Sequence, residues 1–173
     1  NSNKNKFYQS ETVDGIRVIR VWSYMSSNSG FSKRVLDYFS FACMSFFVGI
    51  FQKHDVIIAT SPQFFTTWSG WALSKIRRKP WIFELRDLWP ESIKTVDAMK
   101  QGRVTDLLEI IELGLYKSCN KVVAVTDAFK NNLITRGIGK DKIEVITNGS
   151  NMELFYPREA DAHLLNSLDL RGK

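Results

Sequence analysis

The sequence predicts an α/β fold: a mostly parallel sheet with flanking helices. Two observations predict it. Short apolar runs of strand length alternate throughout with longer stretches of helical periodicity. Each run is bounded by residues that stop helices or open turns, and no repeat or low-complexity linker breaks the alternation. The 173 residues suffice for one domain with a substantial core. Hydrophobic residues at 44% and charged residues at 24% are a globular composition, not a disordered one.

The first expected strand is Ile16 to Trp22, entered through the turn pair Asp14-Gly15. Phe31 to Lys53 reads as a long apolar helix, and Val56 to Ala59 as a buried parallel strand. Gln63 to Arg78 is a helix stopped by Pro80. Trp81 to Leu85 is the next strand, and Pro90 opens a short helix, which suits its fixed φ and missing donor. Val104, Leu107, Leu108, Ile111 and Leu115 have helical spacing between Gly102 and Ser118, with Asp106, Glu109 and Glu112 between them. Lys121 to Val125 is a strand. Thr126 or Asp127 caps the helix after it, and Gly137 falls just past that helix's end. Ile143 to Ile146 is the last strand, Asn148-Gly149 turns the chain, and Pro157 to Lys173 is polar and weakly helical.

The formal net charge of +6 favours anionic partners without choosing among phosphates, nucleic acid and an anionic membrane. Cys43 and Cys119 show no ligand spacing and read as reduced thiols of a cytosolic protein. His54 and His163 are isolated, and His54 reads as a surface residue. The polar, basic start Asn1 to Lys6 is not followed by an apolar run, so no signal peptide is expected. There is no G-x-G-x-x-G, Walker A loop or G-x-S-x-G elbow, and no Asp-x-Asp metal motif.

In an open parallel sheet, ligands gather beyond the carboxyl ends of the strands. Four segments fall there: Thr60-Ser61-Pro62, Glu84 to Pro90, Val125-Thr126-Asp127 and Asn148-Gly149-Ser150. The second carries Glu84, Arg86, Asp87 and Glu91 within eight positions, directly after an apolar strand. Charge there is costly to desolvate unless it is paired or used. It either serves chemistry or is an Arg86–carboxylate pair that pins the turn. Thr60 and Ser61 open a helix whose free N–H groups can hold an anion or simply be capped. Thr126 has the same two readings.

Glu84 to Ser92 resembles the E-x-R-D-L-W-P-E-S signature of one branch of glycosyltransferase family 4, which includes N-acetylfucosamine-type transferases of O-antigen and capsule synthesis. Gly15 to Val21 is similar to that family's "dGv-V-R-V" strand, Ala59 to Pro62 to its "A-T-S-P" loop, and Val123 to Lys130 to its "V-A-V-T-x-x-F-K" segment. Asn148-Gly149 with Glu153 to Pro157 resembles the motif that closes its N-terminal domain, with departures at Thr147, Ser150 and Asn151. The resemblance runs from about Tyr8 to Arg158 and implies a Rossmann-like domain, the partial N-terminal, acceptor-side half of a GT-B enzyme. On this reading residues 1–157 form that domain without its first strands, and residues 158–173 are a polar tail or the start of an interdomain connection. No Glu-x7-Glu pair of the family's donor domain occurs in the sequence, so the chain alone is expected to be inactive.

The resemblance further implies a nucleotide-sugar donor, bound mainly by the C-terminal domain of such enzymes, with no other cofactor and no required metal. Transfer proceeds with retention to a sugar acceptor on polyprenyl diphosphate. From their place at the strand ends, catalysis is expected of Asp87, Glu84 and Arg86, and substrate binding of Thr60, Ser61, Glu91, Thr126, Asn148 and Gly149. The location expected is cytoplasmic, or peripheral on the inner face of the cytoplasmic membrane, with no nucleic-acid partner. Two other readings compete: half of a nucleotide-sugar epimerase, which gives no reason for the R-D-L-W-P run, and a non-catalytic binding or membrane-anchoring module.

Tyr38 to Phe51 carries no charge, while Lys33 and Arg34 precede it and Lys53 follows. The run is short of the ~20 apolar residues of a membrane span. Either this helix is buried against the sheet, or one aromatic face lies in a lipid interface. Open sheet edges, where the family's first strands would lie, are expected to favour self-association.

Overall fold

A computed structural model of the chain describes residues 7–25, 31–62, 64–88 and 102–157, with positions 167 and 169. The helix expected from Pro90, and Glu91 and His163, lie outside the described residues. Strands β3 (Ile57–Thr60), β4 (Trp81–Leu85), β5 (Lys121–Ala124) and β6 (Ile143–Val145) form one parallel sheet in that order. Helices α2 (Phe64–Arg77), α3 (Arg103–Ser118) and α4 (Asp127–Thr135) come between them in sequence, and α1 (Phe31–Ile50) precedes β3. The fold is the expected Rossmann-like α/β arrangement.

The first strand corrects the sequence reading. Ile16–Val21 (β2) does not join the parallel sheet; it pairs antiparallel with Tyr8–Val13 (β1), from Val13 opposite Ile16 to Tyr8 opposite Val21. Asp14 at φ 49° and Gly15 at φ 79° both occupy the left-handed region. That is the two-residue turn whose twist matches antiparallel strands, so Asp-Gly here closes a hairpin rather than merely entering a strand. The run Tyr8–Val13 (YQSETV) is too polar to announce itself as a strand. The hairpin is mostly exposed; β2 packs on α1, and the Tyr24 backbone N–H donates to Ser40 Oγ at 2.8 Å.

The pleat of the parallel sheet sorts its residues. Ala59, Trp81, Phe83, Leu85, Val122, Ala124 and Ile143 share one face and are buried. Phe64 of α2, Leu115 and Tyr116 of α3 and Leu133 of α4 complete this core, with the Phe83 and Tyr116 rings 4.6 Å apart. A Cβ on Gly70 would stand 2.5 Å from Ala59 Cβ, so glycine lets α2 settle onto β3. The opposite face carries Ile58, which is exposed, together with half-buried Ile82, Val123, Thr60 and Glu84.

The long apolar helix packs chiefly on α2 rather than on the sheet. Phe39 meets Phe65 edge-on at 5.9 Å, and a Cβ on Gly49 would stand 2.7 Å from Leu73 Cδ1. Contacts that advance together along both helices make α1 and α2 run in the same direction. Leu36, Phe39 and Phe47 remain exposed. Among the described residues no helix is long and apolar enough to cross a membrane.

Two polar residues also differ from expectation. Glu112, placed by sequence among the polar positions of its helix, is 1% exposed. Tyr116 Oη donates to its Oε1 at 2.7 Å and Arg136 Nη2 to its Oε2 at 2.6 Å, tying α3 to the end of α4. Burial raises the Glu112 carboxyl pKa above its ordinary value, against the pull of Tyr116 and Arg136. His54 is half-buried rather than on the surface, and its Nε2 is shielded with no hydrogen-bond partner among the described residues.

Candidate functional site

The parallel strands deliver their carboxyl ends to one edge, and β3 and β4 lie side by side there. Thr60 ends β3 opposite Glu84 of β4, and both side chains fall on the face away from the helical core. Thr60 Oγ1 donates to Glu84 Oε2 at 2.5 Å. The next backbone N–H, of Ser61, continues the ladder to Glu84 O at 2.9 Å.

Ser61 is 4% exposed. Its Oγ accepts from the backbone N–H of Arg86 at 2.9 Å and of Asp87 at 3.4 Å. Those groups have just left the ladder and would otherwise lack partners. One hydroxyl from the end of β3 thus fixes the first turn after β4, instead of capping α2 as one sequence reading had it. Sequence could not show this, because the partners lie 25 and 26 positions away.

Arg86 Nη2 donates to Asn148 Oδ1 at 3.3 Å, reaching from the end of β4 to the chain beyond β6. Among the described residues Arg86 forms no ion pair and Asp87 no side-chain hydrogen bond, so the pair expected to pin the turn is not seen there. Asp87 is half-buried and Arg86 exposed. The edge therefore brings together Thr60, Ser61, Glu84, Arg86, Asp87 and Asn148.

No hydrogen bond among the described residues ties Thr126 or Gly149 to that group. Thr126 is the N-cap of α4; its Oγ1 accepts from the Phe129 N–H at 3.2 Å, which is the capping reading offered from sequence. Gly149 is exposed, with open space where a side chain would be. Glu91 is outside the described residues. Among the described residues no three His, Cys, Asp or Glu side chains gather as a metal site.

Chemically, the edge offers carboxylates that accept from hydroxyls, a guanidinium suited to phosphate and an amide that can do either. The model of Glycosyltransferase Family 4 matches residues 5–154, most of the chain. The chain belongs to glycosyltransferase family 4. No curated protein matches it. As a family 4 chain it is the N-terminal region of a glycosyltransferase, a class that draws its sugar from a nucleotide-sugar donor. The carboxylates and the guanidinium at its strand ends are groups such a reaction can use.

Proposed function

We propose that residues 1–157 are the acceptor-side domain of a retaining glycosyltransferase, with residues 158–173 leading toward a donor-binding domain. The reaction moves a sugar from a nucleotide-sugar to a sugar acceptor carried on polyprenyl diphosphate, in bacterial surface-polysaccharide synthesis of the N-acetylfucosamine-transferase type. The observation that carries this reading is the Glu84–Asp87 run at the end of β4, its backbone held by Ser61, with Arg86 exposed and Asp87 half-buried.

In this reading the acceptor oxygen bonds to the anomeric carbon as the bond to the nucleoside diphosphate breaks with its electron pair. Asp87 takes the acceptor's hydroxyl proton, Arg86 meets phosphate oxygens, and Glu84, with Thr60, orients the acceptor. Asn148 and Gly149 border the same edge. Glu91 and Thr126 are assigned to substrate from their place in the sequence alone. The exposed Leu36, Phe39 and Phe47 of α1 support a peripheral contact at the inner membrane face, where such an acceptor resides.

The experiment is Asp87→Asn in the enzyme that contains this domain. A catalytic role predicts a fall in turnover of about a hundredfold with thermal unfolding unchanged. A variant that unfolds earlier yet keeps normal specific activity would make Asp87 a structural residue. The chain by itself is expected to bind without turning over, because transfer requires donor and acceptor to be held together.

A further inference from the structure

Helix α3 is apolar on two sides, and the core uses only one of them. Leu108, Leu115 and Tyr116 join the core, and Glu112 binds Arg136 beside them. Leu107, Ile110, Ile111 and Gly114 recur at helical spacing on another side. Leu107 is 56% exposed and Ile110 67%, so these two aliphatic side chains stand largely in water. A helix that packs on one neighbour needs one apolar stripe, and this one carries a second. The second stripe is one wall of a groove. Trp68 and Trp71 of α2 face Ile111, Gly114 and Leu115 of α3 across about 360 Å³. A space of ~150 Å³ already accepts a benzene-sized group, so this groove can take aliphatic side chains. Gly114 leaves a gap in the α3 wall, where a Cβ would meet nothing within 4 Å.

The same helix thus offers a protrusion, at Leu107 and Ile110, and a hollow, at Gly114. Charge is arranged along it in a matching sense. Asp106 stands in the first turn and Lys117 in the last. They are about three turns apart and therefore lie on one flank of the stripe. Both are exposed, and neither side chain has an ion-pair partner among the described residues. A face whose protrusion fits its own hollow, and whose acidic end fits its own basic end, is complementary to itself when inverted.

We propose that this face docks a second copy of the chain, with the two α3 helices antiparallel and the two-fold axis between Ile110 and Ile111. In that arrangement Leu107 enters the groove at the partner's Gly114, and Asp106 meets the partner's Lys117. Each contact occurs twice, once on either side of the axis. A parallel arrangement would set Asp106 beside the partner's Asp106, and Lys117 beside the partner's Lys117, so charge selects the antiparallel mode. The match between the two ends of one helix also selects a second copy over an unrelated amphipathic helix, which needs no such symmetry.

Sedimentation equilibrium of the chain tests this, with no substrate or turnover involved. Ile58→Lys serves as the background, because a charge on edge strand β3 removes association through the sheet edge. A discrete dimer is expected to persist there. Ile110→Glu alters an exposed position, so the fold survives, and it sets two like charges at the axis; the chain should become monomeric. Gly114→Leu favours the helix, so at concentrations where the chain is monomeric it should unfold no earlier than its parent. Because it fills the hollow, it should still weaken the dimer about tenfold or more. Asp106→Lys turns two attractions per dimer into repulsions and should weaken it about thirtyfold. Asp106→Lys/Lys117→Asp restores opposite charges and should bring the affinity back toward its starting value. A monomer at every concentration in the Ile58→Lys background would overturn the proposal, as would a dimer unmoved by Ile110→Glu. A charge-swapped pair that recovers none of what Asp106→Lys loses would overturn the antiparallel arrangement.

Discussion

Replacing Arg136 with methionine removes the one cation that reaches Glu112 among the described residues and keeps most of the side-chain volume. Glu112 is then left 1% exposed with only the Tyr116 hydroxyl as partner. Removing one member of a buried pair costs about 3–5 kcal/mol, and Arg136's 22% side-chain exposure, which lets water assist, puts this case near about 3 kcal/mol. In a domain of this size that is a loss of roughly 6–12 °C in Tm. The pH dependence carries its own signature. The folded-state carboxyl titrates above its ordinary 4.5, so the native state keeps a proton that the unfolded chain releases. This group's contribution to stability is therefore greatest below the unfolded value and falls as pH rises through the folded one. Arg136→Met removes two influences that hold the carboxyl down, so its deficit should be largest near neutral pH and shrink on acidification. Urea unfolding at about pH 7 and about pH 5 measures both effects. Glu112→Met/Arg136→Met, which leaves no buried charge, should recover most of the loss. A single variant within about 1 kcal/mol of wild type, or a deficit that does not change with pH, would refute the reasoning.

Ser61→Ala orphans the Arg86 and Asp87 N–H groups and should cost about 1–3 kcal/mol, with faster hydrogen exchange at those two amides; unchanged exchange would show that another acceptor holds the turn. Cys119 is buried and its thiol is pushed up to about 11, chiefly by burial, so iodoacetamide at about pH 8 should modify the half-buried Cys43 first; equal labelling in the native state would contradict this. Strand β3 is an edge strand with Ile58 63% exposed, so sedimentation should detect self-association that Ile58→Lys suppresses; a wild-type monomer at all concentrations would remove the open edge as a cause.

Where an element's cause is local, it was legible in the sequence. The runs at β3 to β6, the Thr126 cap and the positive φ of Gly137 follow from apolar strands, a hydroxyl before a helix and a residue that tolerates the left-handed region. Cross-strand and cross-helix partnerships were not legible. Ser61 reads as a helix cap until β4 is laid beside it. Glu112 reads as solvated until α4 supplies Arg136, although Glu112 and Tyr116, four apart on the side that holds buried Leu115, were a usable hint. The hairpin is illegible for another reason: β1 is held by a turn and a register rather than by burial, and apolar patterning is blind to that. The charge run at the end of β4 was legible as a site, but not the backbone hydrogen bonds that hold it.

Strand β4 alternates between two duties. Trp81, Phe83 and Leu85 point into the core, while Ile82 and Glu84 point to the other face. Side chains change face at every residue, so losing or gaining a single position inside this strand would carry the carboxylate inward and the aromatic rings outward together. The strand can therefore exchange one apolar side chain for another far more readily than it can change its length. An insertion that a surface turn would absorb would here cost the core and the site at once.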